Sequence, residues 1–383
     1  MKTANMFTNY VLCIFCEFYL ISSVLCQSHN FFGRNCPLKV SEGLRKCKIY
    51  IDNFMLDFND FRDWTSKLGE TTKVMLEVSC GRNGRIFLPW PMKANGLIKL
   101  EVTGCTIEGF SSEFNKSSKL VDELEDLVLD NCVSKTSLDN IFDIIYKPVS
   151  REYDCGQESL HSVVRRNMSY SFKDSKLQKL TKHQEHLLMS SADVLINKAK
   201  HAKYICRYRN LEHIDESTSR SRSKLYLRLM TSYSEYPKLQ TFLLSDNGYT
   251  RIPREFVDWQ ASFPQLEYLD MSKNNIAKFN FLGTSLKGNG IRKRPLVVNL
   301  SYNTITVIPI NIVDYMTATV PVIVDLTGNP LNCDCNFLRY KRYVMDILRN
   351  YPVFSRLSAI TCYSVSMGRR TRLIDYSNNN CLF

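Results

Sequence analysis

Apolar residues recur with one fixed spacing in four segments near the C-terminal end of the chain. The segments begin at Leu239, Leu266, Pro295 and Pro321, and each follows the pattern apolar-x-x-apolar-x-apolar-x-x-Asn-x-apolar. The asparagines lie 274 − 247 = 27, 303 − 274 = 29 and 329 − 303 = 26 residues apart. Repetition at such a period is typical of a solenoid, in which similar units stack on one another. The asparagines are Asn247, Asn274, Asn303 and Asn329.

A short strand in each unit explains the alternation, because successive side chains of a strand point to opposite faces. We expect the asparagine to turn the chain out of the strand and its amide to bond buried backbone groups. Pattern and period together resemble those of leucine-rich repeats. The inward positions are Phe242 and Leu244, Leu269 and Met271, Val298 and Leu300, and Val324 and Leu326.

The other strand positions point outward and form one surface, here called the concave face. A mixed surface with one tyrosine and two acids is suited to binding a protein, although no anchor cluster stands out. The candidate binding residues are Tyr268, Asp270 and Asp325. The predicted concave positions are Thr241, Leu243, Ser245, Tyr268, Asp270, Ser272, Val297, Asn299, Ser301, Ile323, Asp325 and Thr327.

Weaker copies of the pattern begin at Leu97 and Leu124 and carry cysteine at the asparagine position. Cys105 and Cys132 are 132 − 105 = 27 residues apart. Cysteine is a small residue that is readily buried and a weak donor, so both are expected to be buried and unpaired. Adjacent strands lie roughly 4.8 Å apart, so a bond between the two also remains open. A segment from Met75 is a further candidate unit with an ambiguous register.

Residues 136–236 do not align with the pattern. Val194–Asn197 and Leu225–Leu229 are candidate strands of degenerate repeats, whereas Leu177–Met189 reads equally well as a helix. Irregular repeats and a helical insertion therefore both remain open.

The N-terminus has the architecture of a secretory signal peptide. Lys2 precedes an apolar core from Val11 to Cys26, and polar residues follow. We predict cleavage after Cys26, because the apolar run is short for a membrane span; an uncleaved anchor is the alternative. No second apolar stretch of spanning length appears. The chain is therefore expected to be secreted, extracellular and without a membrane span.

An extracellular location changes the meaning of the cysteines. Three of the 14 lie in the predicted signal, which leaves 14 − 3 = 11, and in an oxidising compartment most should form disulfides. Cys333 and Cys335 follow the last repeat directly, and Cys362 and Cys381 come after a segment of helical periodicity. A zinc site favours two or more residues between paired cysteines, and a redox site favours C-x-x-C. The spacing therefore indicates a structural cap.

This cysteine order resembles the C-terminal cap of extracellular leucine-rich-repeat proteins, which Toll-like receptor ectodomains share. The resemblance implies the bonds Cys333–Cys362 and Cys335–Cys381. The family usually has tryptophan in the cap helix, where this chain has Tyr340 and Tyr343.

Cys36 to Cys47 resembles a reduced N-terminal cap with two cysteines instead of four. We further expect a Cys155–Cys206 bond, which leaves Cys80 as the odd thiol.

The fold predicted from this resemblance is an α/β solenoid, a leucine-rich-repeat horseshoe with disulfide-bonded caps at both ends. Its segments are a signal peptide (1–26), an N-terminal cap (27–70), leucine-rich repeats (71–135), degenerate repeats or a helical insertion (136–236), leucine-rich repeats (237–331) and a C-terminal cysteine cap (332–383).

Catalytic and metal-binding patterns are weak. His183 and His186 share one face of a candidate helix, but no third ligand is evident. The chain has neither a glycine-rich phosphate loop nor a serine in a nucleophile elbow. We predict no enzyme activity, no cofactor and no metal, in keeping with the scaffold role of the family it resembles.

The formal net charge of +12 includes several basic clusters. Residues 333–383 hold eight Lys or Arg against three Asp, a net charge of 8 − 3 = +5. Such clusters attract sulfated glycans or acidic matrix, although solvated loops are the simpler interpretation. Nucleic acid is disfavoured by secretion and by the lack of aromatic residues within the basic runs. The clusters lie at Arg220–Lys224, Arg292–Arg294 and Arg369–Arg372.

Glycosylation sequons occur at Asn115, Asn167 and Asn299. Asn299 lies between the inward Val298 and Leu300, so a glycan there would stand on the concave face. We therefore hypothesise that the C-terminal part of the concave face is not the main binding surface.

Three functions fit the sequence. The first is a secreted protein that binds an extracellular protein or glycan, in innate immunity or extracellular signalling. The second is a structural matrix component that binds acidic polymer. The third is a truncated Toll-like receptor ectodomain. The sequence leaves the ligand and the oligomeric state open.

Overall fold

The described part of the chain covers most of the predicted repeats and both caps. The structure, a computed structural model, describes residues 31–39, 43–69, 71–89, 91–109, 121–136, 157–172, 206–219, 234–253, 256, 259, 263–279, 294–312, 322–364, 368–377 and 381. The predicted signal peptide, Cys155, the His183–His186 pair, Asn115 and the segments at 177–189, 194–197 and 225–229 lie outside these residues.

The described elements are mainly short strands. The helices with defined bounds are α1 (Phe58–Thr65), α2 (Cys335–Asn350) and a 3-10 segment, Pro352–Ala359, and they belong to the two ends. Residues 31–35 are also helical. The strands are β1 (Leu38–Lys39), β2 (Leu44–Ile51), β3 (Met55–Asp57), β4 (Lys73–Cys80), β5 (Arg85–Phe87), β6 (Leu97–Thr103), β7 (Thr106–Glu108), β8 (Asp126–Asp130), β9 (Val133–Thr136), β10 (Ser162–Arg166), β11 (Ser169–Phe172), β12 (Cys206–Arg207), β13 (His213–Asp215), β14 (Ser234–Glu235), β15 (Thr241–Leu243), β16 (Tyr268–Asp270), β17 (Leu296–Asn299), β18 (Val322–Asp325), β19 (Leu331–Asn332), β20 (Thr361–Ser364) and β21 (Arg369–Arg372).

One sheet runs through the described chain in the order β1-β2-β4-β6-β8-β10-β13-β15-β16-β17-β18. β1 pairs antiparallel with β2, and every later neighbour pair is parallel. Ten parallel strands in sequence order, with disulfides near both ends, confirm a solenoid like that of leucine-rich repeats. The candidate unit from Met75 is β4, whose inward residues are Val74, Leu76 and Val78.

A second parallel sheet, in the order β11-β9-β7-β5-β3, accompanies the N-terminal units. Each of its strands follows a main-sheet strand after a turn, so these units have two strands each. The sequence pattern did not predict this sheet. Two smaller sheets are β12-β14 and β19-β20-β21.

Eight units share the same turn at the end of the main strand. The residue directly before the asparagine position has a positive φ, the left-handed conformation that lets the chain leave the strand. These residues are Gly104, Asn131, Asn167, Thr218, Asp246, Lys273, Tyr302 and Gly328. The asparagine position itself is filled by Cys105, Cys132, Met168, Ser219, Asn247, Asn274, Asn303 and Asn329.

The asparagines bond across units, as predicted. Asn274 accepts at Oδ1 from the backbone N–H groups of Asn247 (2.9 Å) and Tyr249 (3.0 Å). Its Nδ2 donates to the carbonyl of Leu244, 3.0 Å away in the preceding unit. Asn303 repeats the arrangement one unit later. Buried backbone groups in the turns are satisfied in this way, which an apolar side chain does not achieve.

The cysteines at this position differ from the prediction in one respect. Cys132 is buried and free, as expected, and its thiol donates to the carbonyl of Asp130 at 3.3 Å. Burial raises the pKa of this thiol to about 11. Cys105, however, is bonded to Cys80, so the assignment of Cys80 as the odd thiol was wrong. The reason is that β4 ends beside the turn of the next unit, which brings the two residues together.

Each end of the solenoid is closed by a cap that carries disulfides. At the N-terminal end, Cys36–Cys47 joins the segment before β1 to β2, and α1 places Phe58, Phe61 and Trp64 in the core. At the C-terminal end, α2 begins after Asp334, whose side chain accepts from Phe337 N at 2.9 Å. The bonds there are Cys333–Cys362 and Cys335–Cys381, the same pairs that the resemblance implies.

Two tyrosine hydroxyls make hydrogen bonds to backbone groups of β18, the last strand of the main sheet. Tyr343 accepts from Val324 N (2.7 Å) and donates to Val322 O (2.6 Å), and Tyr340 donates to Val324 O (2.9 Å). An edge strand otherwise exposes unpaired backbone groups that invite pairing with another chain. The hydroxyls thus explain how tyrosine serves at the place where the resembled family has tryptophan. Among the described residues, no helix is long and apolar enough to cross a membrane.

Candidate binding surface

The concave face consists of the outward side chains of the ten parallel strands. In its N-terminal part, charged residues pair across neighbouring strands or along one strand. Lys48 lies 3.0 Å from Glu77, and Lys99 lies 3.0 Å from Glu101. Ion pairs this exposed contribute little to stability, but they neutralise the local charge.

The central part of the concave face combines apolar and charged side chains. Val128 and Val164 are half-buried neighbours on β8 and β10. Beside them Arg166, which is 47% exposed, reaches Asp130 at 3.7 Å and Asp215 at 3.8 Å. The centre thus presents an apolar pair beside an arginine held between two carboxylates. Arginine and apolar side chains in one patch are typical of protein interfaces.

His213 lies on the same central part, on β13. Burial lowers the pKa of this imidazole, and Arg166 lowers it further while Asp215 opposes the shift. His213 is therefore predominantly neutral at neutral pH.

The C-terminal part of the concave face is covered by the cap, which corrects the prediction for Asp325. Asp325 is only 4% exposed, and its neighbour on the same face, Ile323, is fully buried. Arg356, from the 3-10 segment of the cap, lies 3.3 Å from the Asp325 carboxylate. Strand alternation does point Asp325 away from the core, but the cap folds over it. Asp325 is therefore not an accessible binding residue.

The predicted acids also have a structural task at the end of each strand. Oδ1 of Asp270 accepts from Ser272 N at 2.8 Å, and Asp325 accepts from Thr327 N at 2.9 Å. Asp215 and Asn299 make the same contact with the residue two positions later. An Asx side chain bonded in this way stabilises the turn that leaves the strand. Asp270 and Asp325 are therefore explained by the turn without a ligand.

Tyr268 and Asn299 are in direct contact. Asn299 Nδ2 donates to the Tyr268 hydroxyl at 3.3 Å, and both residues are half-buried. Burial raises the pKa of Tyr268, and Asp270 adds to this effect. Arg356 lies near enough to oppose the shift, so the cap contributes a cation to this cluster. Arg356 was not predicted, because nothing in the chain pattern links the 3-10 segment to β16.

The two described sequons lie in different surroundings. Asn167 is exposed in the left-handed position of its turn, and its amide donates to Asp130 at 3.1 Å. Asn299 lies within β17 on the concave face, with both ends of its amide hydrogen-bonded. Occupancy of these sites, like that of Asn115, remains a prediction.

Beneath the central surface lies an ion pair in the core. Arg165 and Glu216 are 7% and 4% exposed, and Arg165 Nε lies 2.6 Å from Glu216 Oε1. Both occupy the inward position that holds leucine or methionine in neighbouring units. Their units were missed from the sequence because this position is charged and because Met168 and Ser219 replace asparagine. One signal in the sequence could have identified these two units. The repeat patterns that begin at Leu160 and at Leu211 carry opposite charges, Arg165 and Glu216, at the same inward position.

Within the described residues, no group of three or more His, Cys, Asp or Glu is arranged to hold a metal ion.

Comparisons with known proteins give a distant likeness. No family model matches the chain, and no curated protein matches it. Among solved structures, the crystal structure of human 5T4 (Wnt-activated inhibitory factor 1, trophoblast glycoprotein) is similar, with a TM-score of 0.39 and 13% sequence identity. The similarity covers 91% of this chain and 98% of that chain. At this TM-score the likeness adds nothing to what the strand register and the disulfides establish.

Proposed function

We propose that the chain is a secreted, extracellular leucine-rich-repeat binding protein that recognises a protein ligand on the central part of its concave face. The observation that supports this most is the patch of Val128, Val164 and Arg166, which lies on a continuous parallel sheet between two disulfide-bonded caps. A rigid sheet holds such side chains in place before binding, so little conformational entropy is lost on association.

The remaining parts of the concave face are less suited to this role. The C-terminal part is occupied by Arg356 of the cap and carries the Asn299 sequon. The N-terminal part presents the Lys48–Glu77 and Lys99–Glu101 ion pairs, whereas Arg166 in the centre adjoins the apolar Val128 and Val164. The centre is where half-buried apolar side chains and an arginine adjoin. Arginine is among the residues that contribute most to affinity in protein interfaces, and apolar neighbours exclude water around it.

The test uses the oxidised, glycosylated protein as bait in native extracellular fluid, with captured proteins identified by mass spectrometry. Val164→Glu places a charge in the centre of the proposed patch and should reduce retention of the specific ligand at least tenfold. Tyr268→Ala combined with Asp270→Ala is the matched control on the C-terminal part and should leave retention within about twofold.

The opposite pattern would move the site to the C-terminal part of the concave face. Equal retention by both variants and the unmodified chain would place binding outside the concave face. Far-ultraviolet circular dichroism on each variant verifies that the fold is intact.

A further inference from the structure

We propose that the hairpin of β20 and β21 in the C-terminal cap is a binding site for sulfated polysaccharide. The proposal rests on the extracellular location proposed above but not on the concave site, which lies on a different sheet. It begins from the sequence R-R-T-R at Arg369–Arg372, which forms the whole of β21.

The strands β20 and β21 are held in place by their neighbours. β20 pairs with β19 on one side and with β21 on the other. Cys362 in β20 is bonded to Cys333, directly after β19. Beyond the hairpin, Lys341 of α2 donates to the carbonyl groups of Ile374 (2.6 Å) and Tyr376 (2.9 Å). The arginines therefore project from a fixed support, which is what recognition of an extended ligand needs.

Strand alternation sets the direction of the arginines. The register places Arg370 opposite Tyr363 and Arg372 opposite Thr361. Cys362 and Ser364, on the other face of β20, are buried, so the face with Arg370 and Arg372 is directed to solvent. Tyr363, 47% exposed, lies beside Arg370 on that face. Residues two apart on a strand are about 6.8 Å apart, so the two guanidinium groups start from neighbouring points along one line.

Two of the arginines have side chains without a partner among the described residues. Arg369 and Arg370 are exposed, and their guanidinium groups make no hydrogen bond or ion pair to the residues that the structure describes. Arg369 lies opposite Ser364, on the other face of the strand from Arg370. Arg372 is bonded to Asp375 at 2.7 Å. Elsewhere on the described surface, exposed basic side chains such as Arg294 and Arg349 do have acidic partners. The hairpin therefore concentrates positive charge that the protein itself does not neutralise.

The chemistry of these groups favours a polymer of sulfates. A guanidinium group binds sulfate or phosphate oxygens through two parallel hydrogen bonds. A single ion at such an exposed place is held weakly, whereas a chain of anions engages several arginines at once and releases its counterions. The ring of Tyr363 offers a flat apolar surface beside the charges, of the kind that packs against sugar rings. The +5 charge of residues 333–383 adds long-range attraction.

Heparin-affinity chromatography of the oxidised full chain tests the site. Arg370→Gln combined with Arg372→Gln removes the two arginines on the solvent face of β21. It should weaken heparin binding at least tenfold and lower the slope of log affinity against log salt by about 2, as expected for two lost contacts to a polyanion. The matched control is Arg82→Gln with Arg251→Gln, which removes the same charge from exposed arginines outside the predicted basic clusters. The control variant should elute from heparin at close to the salt concentration that elutes the unmodified chain. Chemically desulfated heparin should retain neither the control variant nor the unmodified chain.

Equal losses in both variants would show attraction by net charge alone and would overturn the site. Unchanged retention of the hairpin variant would overturn it as well. Capture by phosphatidylserine vesicles without capture by heparin would assign the arginines to a membrane surface instead. Retention of the protein ligand by the hairpin variant, measured in the pull-down described above, separates this site from the concave one.

Discussion

The ion pair between Arg165 and Glu216 allows the energetics of the core to be tested directly. Arg165→Met keeps most of the side-chain volume but leaves Glu216, which is 4% exposed, without its counter-charge. Burial raises the pKa of Glu216 in the native chain, Arg165 opposes the rise, and Asp215 adds to it. Removal of Arg165 takes away the opposing influence, so the pKa rises further.

The size of the effect follows from proton uptake. A carboxyl in the core escapes the cost of a buried charge by binding a proton. At pH 7, protonating a group whose ordinary value is 4.5 costs about 1.36 × (7 − 4.5) ≈ 3.4 kcal/mol. This agrees with the roughly 3–5 kcal/mol lost when a buried ion pair is broken.

The sign with pH follows from the raised pKa. Stability that depends on a protonated carboxyl is fully present below its unfolded pKa and is lost as the pH rises through its folded pKa. Arg165→Met should therefore be most destabilised at neutral pH. The loss should shrink by about 1.4 kcal/mol per pH unit, to about 0.7 kcal/mol at pH 5.

Urea unfolding of the oxidised protein at pH 5 and pH 7, followed by circular dichroism, measures these differences. Arg166→Gln, on the adjacent exposed position, is the matched control and should change stability by less than about 1 kcal/mol at both pH values. Replacing the whole pair by Arg165→Met and Glu216→Leu should restore stability to within about 1 kcal/mol of the unmodified chain or above it. A loss for Arg165→Met that does not shrink from pH 7 to pH 5 would refute the reasoning.

Three further predictions concern the cap, the thiols and the glycans. Tyr343→Phe removes two buried hydrogen bonds to the last strand and should cost about 2–4 kcal/mol in urea unfolding, whereas an unchanged midpoint would show that water replaces the hydroxyl. In alkylation without reductant, Cys132 should react only after denaturation, because its pKa of about 11 leaves roughly one thiolate per thousand at pH 8 in the folded chain. Cys80 should not react at all, and labelling of Cys80 would contradict the Cys80–Cys105 bond. Glycopeptide mass spectrometry should find glycans at both Asn167 and Asn299, and an unmodified Asn299 would reopen the C-terminal part of the concave face to a ligand.

The regular repeats could be predicted because each one satisfies the same local rule. In the last four units, asparagine follows two apolar inward residues, and nothing distant is needed to recognise the pattern. The units of β10 and β13 break the rule twice each. A charged residue is tolerated at the inward position only because it has a partner of opposite charge. That partner lies 216 − 165 = 51 residues away, so no local window of the sequence contains both.

The error at Asp325 has a similar physical origin. Alternation correctly gives the direction of a side chain, but burial depends on what lies beyond it. Arg356 comes 356 − 325 = 31 residues later, in a segment whose apolar spacing predicts nothing about the concave face. Likewise, Cys80 and Cys105 are brought together by the register of β4 against β6, which the ambiguous pattern around Met75 did not fix.

The buried pair also accounts for how the short strand β13 keeps its register, and this gives a last prediction. β13 and β10 share only three residue pairs, Ser162–His213, Val163–Ile214 and Val164–Asp215. A slip of two residues keeps the inside and outside faces of a strand, so the burial of apolar side chains alone does not exclude it.

Here the same slip would set Val163 against Glu216 and leave two buried charges unpaired, at a cost of roughly 3–5 kcal/mol. The paired charges thus select one register where backbone pairing alone is weak. We expect Arg165→Met with Glu216→Leu to fold stably but to lose this selection. Its β10 and β13 amides should then exchange hydrogen faster than those of β15 and β16, although global stability is retained. Equal protection of all four strands would show that backbone and turns fix the register without the charges.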